Sequence, residues 1–261
     1  MILVLNAGSS SLKIEVFTSD LTSVLSGAVT SIGTDGAITL GDETLATKTT
    51  DHADALAQML DALAYTGITL DKLTAAAHRV VHGGTILTQP ARVTPQVIAA
   101  IKSVIPLAPL HNPNNLAAML ALQAAAPDLP QYASFGTAFH ATNPAVATRY
   151  AIPQTDHDAG IRRYGFHGLS YAGMVADFGA ALPARLLALH LGNGASLCAI
   201  KDGRSIATSM GYSPLSGLTM GTRSGDIDGA AVLRISAALG EDEADRMLNK
   251  NSGLKALGGD S

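Results

Sequence analysis

The sequence predicts an α/β protein built as two similar domains facing each other across a cleft, and three observations carry that prediction. A strand, polar turn, strand device occurs twice, at Ile2 to Phe17 and again at Arg185 to Ile200. Runs of branched residues alternate with segments of helical period, the pattern of a sheet layered with helices. Finally, 261 residues that are 47% hydrophobic, with a positive mean hydropathy, suffice to bury a large core.

In chain order, Ile2 to Leu5 and Leu12 to Phe17 are strands around the loop Asn6-Ala7-Gly8-Ser9-Ser10-Ser11. Gly8 permits close backbone approach, the three serines add short donors and Lys13 adds positive charge, a combination that suits a phosphate. Ser23 to Gly33 and Ala37 to Ala46 alternate as two further strands, an antiparallel start to the sheet. Asp51 is placed to cap a helix reaching Leu63, and Leu73 to Val81 returns to strand and ends in His78-Arg79-Val80-Val81-His82-Gly83-Gly84. Polar groups at such a strand end are where open α/β sheets keep their ligands. Thr94 to Val104 is a helix with Pro95 in its first turn, and Asn112 is expected to cap the helix opened by Pro113. A short strand, Tyr132 to Phe135, leads to Gly136-Thr137-Ala138-Phe139-His140.

A boundary is expected between Asn143 and Arg163, dividing the chain into 1–150 and 151–261. Setting Ser11-Leu12 on Ser196-Leu197 aligns the two hairpins 185 residues apart, with Leu191-Gly192-Asn193-Gly194 as the second polar turn. Each domain would offer one such loop to a shared polyphosphate. Gly211 to Asp228 is expected to be a long structured loop, Gly229 to Leu239 and Glu241 to Lys250 helices, and Leu254 to Ser261 an end without a packing element.

Seventeen basic and 21 acidic residues give a net charge of −4 with no basic stripe, which argues against a nucleic-acid surface. No apolar run is long enough to span a bilayer and no charged leader precedes one, so the expected location is the cytoplasm. The single Cys198 excludes an internal disulfide and a cysteine-rich zinc site, and reads as a buried small hydrophobe.

Six segments together resemble the acetate kinase family: Asn6 to Lys13, His78 to Gly84, His111-Asn112-Pro113, Arg163-Tyr164-Gly165-Phe166-His167-Gly168, His190 to Gly194, and Met220-Gly221-Thr222-Arg223-Ser224-Gly225-Asp226. They occur in family order along the whole chain. The resemblance implies two ribonuclease-H-like domains of the actin, Hsp70 and sugar-kinase type around a cleft. It also implies transfer of the ATP γ-phosphoryl to acetate or another short-chain carboxylate, with Mg2+ as cofactor. By that resemblance Arg79 binds the carboxylate, and Val81, Leu110, His111, Phe166 and Pro214 form or border an apolar acyl pocket. His167 and Arg223 meet the phosphoryl in the transition state. Lys13, Ser9, Ser11, His190, Leu191, Gly192, Asn193 and Gly194 bind nucleotide, and Asn6 lies in the magnesium shell. Arginine suits such work because its fork stays charged and matches planar oxyanions. His52, His82, His140 and His157 receive no role.

The chain departs from the family at Gly136, where the family has its catalytic aspartate in Phe-Asp-Thr-Ala-Phe-His. Others are Ala207 and Ser216, near which the family has Asp and Glu, and Leu169 and Tyr171, where it has Thr and His. Family members are also longer by well over a hundred residues. The second domain is therefore expected to be incomplete, with an uncovered apolar face, weak ATP binding and an uncertain place in the family's homodimer. Two alternatives follow: a catalytically silent homologue or fragment that retains a carboxylate or nucleotide pocket, and another kinase of the same fold, such as a sugar kinase.

Overall fold

A computed structural model describes residues 1–259 of the chain. Two compact units are present, Met1–Ala138 and the residues from Phe139 onward. The division precedes the Asn143 to Arg163 stretch because Phe139 packs on the second unit's core. His140, also buried there, sets Nδ1 2.9 Å from Ser205 Oγ and Nε2 2.8 Å from the Phe166 carbonyl oxygen.

Among the described residues of the first unit, one sheet holds β1 (Ile2–Ala7), β2 (Ser11–Phe17), β3 (Ser23–Thr30), β4 (Asp35–Leu40), β5 (Glu43–Lys48), β6 (Ala75–Val80), β7 (Ala91–Arg92) and β8 (Gln131–Phe135). The order is β5-β4-β3-β2-β1-β6-β8-β7, with β1, β6 and β8 parallel and the remaining neighbours antiparallel. The single strand expected over Ala37 to Ala46 is instead the hairpin β4/β5. Gly41, at φ 57°, takes the first central position of a two-residue turn that the surrounding alternation hides.

Helix α1 (His52–Tyr65) is capped as expected, Asp51 accepting from the Ala53 and Asp54 amides, and α2 (Pro95–Ser103) is capped by Thr94. In α3 (Asn112–Ala125) the capping position falls to His111, and Asn112 is buried as the first helical residue. Its amide is engaged elsewhere, as described below. Leu3, Leu5, Leu12, Ile14 and Val16 pack on Leu56, Met59 and Leu63 of α1 and on Ala118 and Leu122 of α3. This burial follows from period-2 strands meeting a 3.6-period helix face, and it leaves Val4 and Asn6 on the opposite side of β1.

The second unit begins with short helices α4 (Ala145–Thr148) and α5 (Gln154–Asp158), then α6 (Gly168–Phe178). Its described sheet is β9 (Arg185–Leu191), β10 (Ala195–Lys201) and β11 (Arg204–Thr208), ordered β11-β10-β9 and antiparallel throughout. Tyr171, Ala188, Cys198 and Ile200 form its core, so Cys198 is buried as expected. Residues 209–228 contain no helix or strand, and α7 (Gly229–Leu239) starts on the Asp228 cap. After α8 (Glu241–Lys250), a further short helix, α9 (Gly253–Gly258), lies where none was expected. It is tied back by Leu254 N donating to the Met220 carbonyl at 2.9 Å and Lys255 N to that of Gly221 at 3.0 Å. The expected uncovered apolar face is present: Leu187, Leu189 and Leu191 line one side of β9 at 63%, 47% and 72% exposure. No helix among the described residues is long and apolar enough to cross a membrane.

Candidate functional site

Strand register assembles the first half of the site. Asn6 is paired with Lys13 of β2 on one side and with Arg79 of β6 on the other, so three residues distant in sequence stand in one row on one sheet face. Arg79 Nη1 donates to Asn6 Oδ1 at 3.2 Å. Burial lowers the Arg79 pKa from its ordinary value, yet a guanidinium keeps its charge in proteins, so the row presents two cations around an amide.

The turn beside this row is held by residues to which the sequence assigned no role or a different one. Gly8 N donates to the Ser11 carbonyl at 2.7 Å, while His52 Nε2 lies 2.8 Å from the Gly8 carbonyl oxygen. Asn114 Nδ2 reaches the carbonyls of Gly8 and Ser9, each at 3.3 Å. Asn115 links the two strand ends, donating to the Ala7 carbonyl at 2.7 Å and accepting from Val81 N at 3.0 Å. Asn112 accepts from His82 N at 3.1 Å and donates to its carbonyl at 3.0 Å. The asparagine cluster opening α3 is therefore a clamp on the ends of β1 and β6. Its only signal in the sequence is the density of Asn around Pro113.

Beyond the clamp, Val81 is buried, His111 occupies the N-cap position of α3 and Leu110 is 59% exposed. Gly136 N donates to the Val80 carbonyl at 2.8 Å, and a Cβ added at Gly136 would lie 2.8 Å from the Val81 carbonyl oxygen. A side chain at position 136 would therefore require the strand end to shift. His78 and His82 are buried and held neutral, their pKa lowered to about 4 by desolvation.

In the second unit the β9/β10 hairpin places His190 opposite Ser196, as β1/β2 places Asn6 opposite Lys13. The turn between β9 and β10 carries Gly192, Asn193 and Gly194. Gly221 N donates to the Asn193 carbonyl at 3.1 Å, docking the 220–223 loop on that turn. Arg223 Nη1 donates to the Pro214 carbonyl at 3.2 Å, and burial lowers its pKa. His167 stacks on His190 with ring centroids 4.0 Å apart. A Cβ added at Gly194 would meet Arg223 Nη1 at 3.0 Å and His167 Nε2 at 3.5 Å, so these two side chains and the glycine turn converge. Phe166 is buried one residue before His167.

No group of three or more His, Cys, Asp or Glu among the described residues could hold a metal ion. A magnesium ion carried on nucleotide phosphates retains waters and needs few protein ligands. Asn6 Oδ1, already accepting from Arg79, keeps a second lone pair.

The sequence model of the acetokinase family matches residues 1–261. The acetate kinase of Streptomyces avermitilis is 44% identical over 279 aligned residues, which cover 100% of this chain and 69% of that protein. Among solved structures, Porphyromonas gingivalis acetate kinase superposes with a TM-score of 0.90 at 35% identity, covering 99% of this chain and 69% of its own. A propionate kinase from Francisella tularensis gives 0.92 at 38% identity, covering 99% and 70%. This chain has the fold of those enzymes, the actin, Hsp70 and sugar-kinase type, and spans about 69% of the curated relative's length. The end-to-end match and the ordered motifs agree: the chain belongs to the acetokinase family, kinases whose phosphoryl acceptor is a carboxyl group and which use ATP and a divalent metal.

Proposed function

We propose that the chain acts in the cytoplasm and transfers the ATP γ-phosphoryl to acetate or a similarly short carboxylate by direct in-line attack. A carboxylate oxygen forms the new P–O bond as the bond to ADP breaks, giving an acyl phosphate and ADP. The observation that carries this reading is the convergence of His167 Nε2 and Arg223 Nη1 on Gly194. Phosphoryl transfer needs little covalent chemistry from the protein and much fixed positive charge, which such a constellation supplies.

On this reading Arg79 holds the carboxylate, while Val81, Leu110, His111, Phe166 and Pro214 limit the acyl chain. Lys13, Ser9, Ser11 and the 190–194 turn hold nucleotide phosphates. Asn6 orients Arg79 and offers its remaining lone pair to the shell of Mg2+, an ion that neutralises phosphate charge when bound. An acetate or propionate preference differs by one methylene, worth about 1–3 kcal/mol.

Gly136 favours a second reading, a silent homologue that binds carboxylate or nucleotide without turnover, because it offers no side chain where the family carries a carboxylate. Hydroxamate trapping of acyl phosphate with ATP, Mg2+ and acetate separates the two. Turnover that falls about 10²–10³-fold in Arg223→Ala supports transfer, as expected for loss of one preorganised donor. Nucleotide binding by calorimetry without trapped product supports the silent reading.

A further inference from the structure

Tyr171, which stands where the family commonly has histidine, is the largest fully buried side chain in the second unit's core. Its hydroxyl lies 2.6 Å from Ser196 Oγ and 2.9 Å from the Ser196 carbonyl oxygen. Ser196 is itself fully buried, and its Oγ lies 2.9 Å from His167 Nδ1. A continuous chain of polar atoms therefore runs from the core to the ring whose Nε2 faces the Gly194 turn.

His167 needs such support. Its backbone is left-handed, φ 59° and ψ 15°, at the residue preceding α6, a conformation that L side chains seldom take. Stacking on His190 fixes the plane of the ring, and Ser170 Oγ, 3.0 Å from His190 Nδ1, steadies that second ring. Neither contact decides which nitrogen of His167 carries the proton.

We propose that Tyr171 is a positioning residue acting through Ser196: its O–H donates to Ser196 Oγ, Ser196 O–H donates to His167 Nδ1, and His167 is held with its proton on Nε2, facing the phosphoryl group. The proposal rests on the reading that His167 meets that group. One phenolic, one seryl and one imidazole hydrogen serve these positions, the phenolic hydrogen being shared with the Ser196 carbonyl oxygen. The shorter Tyr171 contact is the one to Oγ, which this direction uses. Burial raises the Tyr171 pKa, so the phenol keeps its proton. The reverse direction, with Tyr171 donating to the Ser196 carbonyl, places the proton on Nδ1 and leaves Nε2 an acceptor, unable to stabilise developing negative charge.

The test is the His167 tautomer, read from imidazole 15N shifts in the full chain labelled at histidine, at a pH where the ring is neutral. Comparison with His167→Gln assigns the signal. The expected result is a predominant Nε2–H form in the parent chain and a tautomer mixture in Tyr171→Phe, which keeps the packing against Phe139 and His140. Ser196→Ala gives the same mixture and serves if Tyr171→Phe does not fold. Acyl phosphate formation in Tyr171→Phe should fall about tenfold in kcat with KM for acetate unchanged. An Nδ1–H form in the parent chain, or an unaltered tautomer in both variants, overturns the proposal. Full turnover in His167→Gln would instead sink the reading of His167 and leave the tautomer result standing on its own.

Discussion

The two units use one hairpin device in opposite settings. In the first, β1 and β2 lie inside the sheet between β3 and β6, and the leucines on their inner face are nearly or wholly buried. In the second, β9 has β10 on one side and no second neighbour among the described residues, and it shows three leucines to solvent. A polar turn needs only its two strands for shape. Its rigidity comes from what grips the strand ends, and here the units differ most. The first turn is gripped by backbone-to-asparagine bonds from α3, the second by a loop bond from Gly221 and by stacked histidines.

Acid should separate the units most strongly. Burial lowers the pKa of His78 and His82 to about 4 in the first unit and lowers that of His140 in the second. Between the ordinary imidazole pKa, about 6.5, and 4, the unfolded chain binds protons that the folded chain refuses. The stabilisation is thus fully present above about pH 6.5, declines as pH falls towards 4, and declines no further below that. A shift of this size is worth roughly 3 kcal/mol per histidine at pH 4. Peptide-resolved hydrogen exchange at pH 7, 5.5 and 4, corrected for intrinsic rates, should show β1 and β6 losing more protection than β9 and β10. Equal losses would mean that the histidines of the first unit are less secluded than their burial indicates.

A smaller effect tests the asparagine clamp. Asn115→Ala leaves the Ala7 carbonyl and the Val81 amide without their side-chain partner, at about 1–3 kcal/mol for each buried group. The urea midpoint should fall accordingly. Asn114→Ala, which removes longer and more exposed bonds, should cost under about 1 kcal/mol. A reversed order would show that the clamp works at the turn rather than at the strand ends.

What the sequence made legible was local or patterned. Asp51 caps its helix as expected because a cap needs only a side chain and the next turn's amides. The strands β1 and β2 and the helix after Asp51 were legible from composition and spacing, whereas the face that α1 buries, His52, Ala55, Leu56, Met59 and Leu63, is set by its packing partners. Gly41-Asp42 was hidden because a two-residue turn interrupts an alternation without changing its character. Asn115 was illegible for another reason: it bonds Ala7, 108 residues away, and a single long-range hydrogen bond leaves no periodic trace. The row of Lys13, Asn6 and Arg79 was named through family motifs but assembled only by register, which residue order along a chain does not specify.

The exposed row on β9 should give the smallest change in stability and the clearest change in association. Leu187 and Leu189 are already largely wet, so replacing both with Thr removes little buried area and retains a residue that favours strands. The double variant should unfold within about 0.5 kcal/mol of the parent, as surface substitutions do, whereas truncating one buried leucine of the first unit to alanine costs about 2–5 kcal/mol. Sedimentation velocity across a concentration series should show the parent self-associating more than the variant, because a contiguous apolar strip at a sheet edge invites pairing. A destabilisation above about 1 kcal/mol, with no change in sedimentation, would mean that this face is covered in solution and that the two units are more alike than their sheets suggest.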